Sequence, residues 1–383
     1  MQTAFAENKN GNEIEEEFQD NIDKILGDIE TDELDEYLVN DYNLNFFDVS
    51  SFKDLAIKVL SGSYFDEYDS LFDAIVDVLK TSFKDLMKLF LLFLVLVLLY
   101  EIFNNFCADK FLDIKKIVKL IFSFVIILLL LQIFKSISVD ISSTIEKTFS
   151  FSKIIFPVLL NLILISGASG SYSVYSSLSL FLINTGSYIF TYFLMPLSIS
   201  IFLLSLFGSV FSNNRFSRII DLFKSIFKYS LMIFFALFGL FSSVNLISSG
   251  VKDGVSLRLT KFAIKNYIPI IGGYVSQGFD FVHSCSVVIK NAFGVCGIIV
   301  LAFIILKPLL NYFIYCLFFK LLSAIVSLVG NTHYSDIFNN VSKTMSYFIA
   351  VLIGLFFIIF VFIYLLIISI SVVWCFIDLF VLL

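Results

Sequence analysis

The residues first worth testing for chemistry are Gly167-Ala168-Ser169-Gly170. A serine between small residues inside an apolar stretch has the form of an intramembrane protease nucleophile. Such a serine needs a histidine on a neighbouring helix to take its proton. The chain has two histidines, His283 in a segment rich in backbone breakers and His333 in a polar loop. A flexible Gly/Ser turn between two membrane-crossing helices is the plainer reading of 167–170. Cys107, Cys285, Cys296, Cys316 and Cys375 are scattered and form no C-x-x-C pair, so neither a disulfide framework nor a zinc site is indicated. The sequence contains no D-x-D-x-D-G loop and no Walker A, H-E-x-x-H or G-x-G-x-x-G motif. We therefore expect a non-enzyme with no catalytic residues, no metal and no cofactor.

The other chemistry-bearing residues are polar groups in apolar surroundings. Asp253 and Arg258 flank Gly254, and Lys261 follows. They read either as a charge pair pinning an interfacial element at a pore or subunit contact, or as ordinary interfacial charges. Pro269, Gly272 and Gly273 then mark a backbone break. Lys320 lies within an apolar arm, where a charge costs at least about 2.5–3.5 kcal/mol on insertion scales. It should face protein or water, or snorkel. Asn161, Asn184 and Asn245 are candidate interhelical hydrogen bonders, each worth roughly 0.6–2 kcal/mol. Pro157, Pro196, Pro269 and Pro308 are expected to kink or end helices.

The elements that must position these residues are helices in a membrane. Of 383 residues, 58% are hydrophobic and only 15% charged, against about 25% charged in an ordinary soluble domain. Mean hydropathy is +0.93. The charge is uneven: residues 1–80 carry 21 Asp/Glu against 5 Lys/Arg, and the remainder carries 11 against 21. An acidic head thus precedes a basic, apolar body. Residues 7–82 read as a small helical subdomain of about four helices, with apolar stripes over 12–30, 34–38, 51–60 and 65–80. Its glutamate run is a solvated face. The subdomain is too small to be very stable alone, and docking on the membrane or on a partner would help it. The 48 phenylalanines read as codon bias in an AT-rich genome plus lipid-facing filler.

A spanning helix takes about 20 apolar residues. On that measure the body, 83–383, holds about nine spans: 86–106, 117–134, 154–170, 175–193, 195–211, 229–250, 291–310, 309–329 and 345–371. The fold class expected is all-α, a polytopic helical membrane protein with a small acidic head. The basic stretches at Lys110–Lys119 and Arg215–Lys228 should be cytoplasmic, which puts the head outside the cytoplasm. Ala4-Phe5-Ala6 has the A-x-A form of a signal-peptidase site, so residues 1–6 read as the remnant of a signal peptide. Residues 251–290 obey neither the span rule nor the loop rule. Either one span is miscounted or, as the cations interleaved among apolar residues favour, they form an interfacial or re-entrant element.

From residue 180 onward the chain resembles the stage III sporulation protein AE family of endospore-forming bacteria. The resemblance is carried by LFLINTGSYIFTYFLMPL at 180–197 and VKDGVSLRLTKFAIKNYIPIIGG at 251–273. VVIKNAFGVCGI at 287–298 and FKLLSAIVSLVG at 319–330 add to it. What it implies is a multi-pass structural subunit in the mother-cell membrane facing the forespore. Membership of a secretion-like channel complex is implied with it. Partners would be other membrane and ring-forming subunits and the lipid bilayer, with self-association left open. Nucleic acid is no partner, because an acidic head repels phosphate. A stand-alone secondary transporter and a rhomboid-like protease are the competing readings.

Overall fold

The computed structural model describes residues 31–41, 51–61, 68–106, 112–211, 214–267 and 272–369. The expected signal remnant at Ala4 and Ala6 and the stripe at 12–30 lie outside them. Every described element is helical. The head contributes α1 (Asp32–Asp41) and α2 (Phe52–Ser61). The body contributes α3 (Tyr68–Phe106), α4 (Leu112–Ile165) and α5 (Ser169–Phe181), followed by α6 (Met195–Phe211), α7 (Asn214–Tyr267), α8 (Gly272–Leu328) and α9 (Thr332–Ile368). Two π-helical stretches, Leu182–Gly186 and Ile189–Leu194, join α5 to α6 without a break.

Six of these helical runs are long and apolar enough to cross a membrane, not nine. The difference comes from three places where neighbouring expected spans are one helix. Segment 117–134 and most of 154–170 are in α4, whose 54 residues measure about 80 Å. Segments 175–193 and 195–211 are one rod running from α5 to α6. The expected hairpin around Lys307-Pro308 is a continuous passage of α8. Proline removes one helical hydrogen bond, but it does not force an end where neighbouring helices pack on both sides. Pro157 and Pro196 are likewise inside continuous helix. The described part of the expected head helix, 68–80, runs on without a break into the first expected span as the first third of α3.

The centre of the bundle is an antiparallel hairpin. Ser323 and Ser335 each donate to the other's backbone carbonyl, at 2.8 and 2.9 Å, and the Ser342 hydroxyl donates to Cys316 O at 2.9 Å. Numbers rise along α8 as they fall along α9, which fixes the direction. The turn between them is a glycine C-cap: Gly330 has φ +97°, the left-handed region glycine enters freely. Asn331 then caps α9 by accepting the Tyr334 N–H at 3.0 Å, and its side-chain amide donates to Glu101 on α3.

Phenylalanine does more than face lipid. Phe134 of α4 stacks on Phe202 of α6 with ring centroids 3.8 Å apart. Phe93, Phe319 and Phe338 join α3, α8 and α9 edge to face or stacked, and all three are fully buried. Such pairs add about 0.5–1.5 kcal/mol beyond the area they bury.

The head docks on its own chain. Ser51 caps α2 by accepting the Asp54 N–H at 3.1 Å, and Asp35 of α1 accepts the Phe52 N–H at 2.6 Å, tying α1 to α2. Phe52 then packs on Phe293 of α8, and the Tyr37 hydroxyl donates to Lys147 O of α4 at 2.8 Å. Leu34, Leu38, Leu55 and Ala56 are buried in the same seam.

Candidate functional site

The Gly/Ser segment is a tight turn, as its composition suggests. Gly167 has φ +82°. Its N–H donates to Leu164 O at 2.9 Å and the Ala168 N–H donates to Ile163 O at 3.2 Å, the paired bonds of a Schellman ending. This stops α4. The next helix, α5, begins at once, with the Ala168 carbonyl accepting the Tyr172 N–H at 3.0 Å.

Ala168 occupies the N-cap position of α5 and has no side-chain group to cap it. Asp253, far along the chain on α7, supplies the cap. One of its carboxylate oxygens accepts the Gly170 N–H at 2.7 Å and the other accepts the Ser171 N–H at 2.9 Å. These are the amides a Ser or Asp at the N-cap would normally serve. Asp253 is fully buried. A buried carboxylate is tolerable there because two N–H donors and the positive end of the helix dipole offset its desolvation.

The other side of the same turn is held from α8. His283 Nδ1 lies 2.6 Å from Ser166 O. A carbonyl only accepts, so Nδ1 carries the proton and donates. Lys290 follows on the same face of α8, two helical turns on. It is fully buried, and its ammonium donates to Ile367 O at 2.6 Å. Ile367 is in the last turn of α9, where carbonyls have no partner within the helix and a cation is favoured. Three helix ends therefore meet at one end of the bundle. The one N-terminus is tied by an anion, and the two C-termini by N–H donors.

The segment around Lys290 also explains its glycines. A Cβ at Gly294 would collide with the Ile367 side chain, and one at Gly297 would press on Ile155 at 3.3 Å. Gly294 and Gly297 follow Lys290 at helical spacing and leave room for the Ile367 and Ile155 side chains of α9 and α4 to pack on the α8 backbone.

Of the residues singled out from sequence, the structure assigns a specific partner to Asp253. Gly254, Arg258 and Lys261 belong to the continuous α7, and Gly272 and Gly273 open α8. The side chains of Arg258, Lys261 and Asn245, and all of Pro269, lie outside what is described. Both Asp253 oxygens are used by α5. Asn161 and Asn184 are exposed on the bundle surface, so neither is buried at a helix contact of this chain, and Lys320 is exposed on α8. Ser169 is the exposed first residue of α5, while the His283 nitrogen facing this turn is engaged by Ser166 O. His283 and Lys290 were not among the expected site residues. A lysine inside VVIKNAFG was the available signal, since an isolated charge in an apolar helix must find a partner.

At the opposite end, Tyr334 OH donates to Lys119 O at 3.3 Å and Asn340 Nδ2 to Ser209 Oγ at 2.7 Å. The start of α4, the α6–α7 corner and the α8–α9 turn thus share one end, and both basic stretches adjoin it.

Among the described residues, a helical bundle with six helices long and apolar enough to cross a membrane, its ends tied by buried polar side chains, has the architecture of a helical membrane protein. Residues 50–370 match the family described as stage III sporulation protein AE, and the chain belongs to that family. The match reaches further toward the N-terminus than the motifs from residue 180 onward and takes in α2. A relative named stage III sporulation protein AE, from Bacillus subtilis (strain 168), is 28% identical over 211 residues. That alignment covers 55% of this chain and 53% of the relative, so it spans about half the relative's length. No solved structure matches.

Proposed function

We propose that the chain is a structural subunit of a sporulation channel complex in the mother-cell membrane, facing the forespore. Membership of the family supports a sporulation role. The observation that carries the structural reading is the use made of the α5 N-terminus. In secondary transporters, broken helices aim such N-termini at anionic substrates. Here the broken helix is present, but Asp253 already fills the anion position. The break acts as a joint held by α7 and α8, which suits a scaffold better than a substrate site.

The orientation follows from charge. Both basic stretches adjoin the end where Lys119, Ser209 and Asn340 meet, and basic segments stay in the cytoplasm. The acidic head and the three tied helix ends then face the forespore side, available to other membrane and ring-forming subunits.

The test is purification of the tagged full chain from sporulating cells in mild detergent. Stoichiometric recovery with ring-forming and membrane subunits is expected. Recovery of the chain alone, in cells where it supports sporulation, would overturn the proposal and favour a stand-alone permease.

A further inference from the structure

The exposed faces of the long helices differ in character. On α3 the exposed side chains include Leu91, Val95, Leu99, Ile102 and Phe106. On α7 they include Ile226, Met232, Ile233, Leu237 and Leu240. Such surfaces match hydrocarbon.

The rod from α5 to α6 is different. Its exposed positions include Ser173, Ser177, Leu180, Asn184, Tyr188 and Tyr192, steps of three and four along one face. In an α-helix each four-residue step drifts by about 40°. The wider π-helical turns at Leu182–Gly186 and Ile189–Leu194 offset that drift and keep Asn184, Tyr188 and Tyr192 in line. On the adjoining helix, α4, exposed Lys135, Ser142, Ser143 and Glu146 line an open groove with Ile199 of α6. The enclosed Ser138 hydroxyl in this groove has no hydrogen-bond partner among the described residues. Water entering the groove could satisfy it.

We infer that this joint face of α4 and the α5–α6 rod borders water rather than lipid. The serines alone do not decide this, because Ser177 and Ser200 donate back to Ser173 O and Pro196 O, the arrangement that lets serine sit in lipid. The weight falls on Lys135, Glu146 and Asn184, whose end groups back-bonding does not satisfy and which hydrocarbon excludes. Water could reach this face in two ways. Helices of 54 residues outrun a hydrocarbon core of about 30 Å, so the face could stand beyond the bilayer. It could equally wall a passage within it. The inference is independent of the assembly proposed above, since it concerns the medium touching one face of the chain.

The test uses the full chain in membranes of a host that makes no other sporulation protein. Ser142→Cys, Ser173→Cys and Asn184→Cys are compared with Leu99→Cys and Ile233→Cys, after subtracting labelling of the parent chain's own cysteines. All variants must give the parent's gel-filtration profile in detergent. A charged, membrane-impermeant maleimide needs a hydrated thiolate, so the first three should label roughly tenfold faster or more. Labelling as slow as at Leu99→Cys would overturn the inference. A bulky polymer-linked maleimide separates the sources: reaction with both reagents supports an open face beyond the bilayer, and reaction with the small one alone supports a narrow passage.

Discussion

Asp253 on α7 accepts the Ser171 amide at 2.9 Å, so a residue 82 positions away does the work of an N-cap. Together with the Gly170 bond at 2.7 Å, it joins α7 to the start of α5. Replacing Asp253 with Ala leaves the buried Ser171 amide and the part-buried Gly170 amide without this acceptor. Charge-assisted bonds of this kind are worth about 1.5–3 kcal/mol, so thermal unfolding in detergent should shift down by several degrees. An unchanged midpoint would mean the cap contributes nothing.

Gly294→Ala places a methyl group against Ile367. Overpacking typically costs about 1–3 kcal/mol. The second substitution Ile367→Ala should recover part of that loss, because it removes the atoms in conflict. A double-mutant cycle measures the coupling, and additive losses would show that the two residues do not meet.

Lys290→Met trades a buried ammonium for an apolar chain of similar length. Global stability should change little, because losing the charge's desolvation cost offsets losing its bond. The Ile367 carbonyl loses its donor, however, so the end of α9 should fray. Faster hydrogen exchange over residues 364–369, with a nearly unchanged melting point, is the expected signature. Unaltered exchange there would count against the tie.

Tyr37→Phe removes the bond to Lys147 O and keeps the ring against Phe151. A loss of about 0.5–1.5 kcal/mol should loosen the head without unfolding the bundle. Limited proteolysis should then cut the head sooner, with the body fragment intact. Equal cutting rates in both proteins would show that the hydroxyl does not anchor the head.

Composition and periodicity were enough for the helical membrane class, since apolar runs near 20 residues and stripes at helical spacing are local properties. The helices around Leu34 and Phe52 were legible for the same reason, as was the turn at Gly167. The number of crossings was not. Whether a helix stops at Pro308 or runs through it depends on what packs around it, and α9 supports α8 along that length. The tied helix ends were equally hidden. Asp253 looked like one half of a pair with Arg258 because the two are close in sequence, and nothing in the sequence pointed to the amides 82 and 83 residues away whose N–H groups it accepts. Sequence marks which polar groups an apolar helix must satisfy. Only the packing of α7 and α8 against the start of α5 and the end of α9 decides which backbone groups satisfy them, because those partners are distant in the chain and have no side-chain signature of their own.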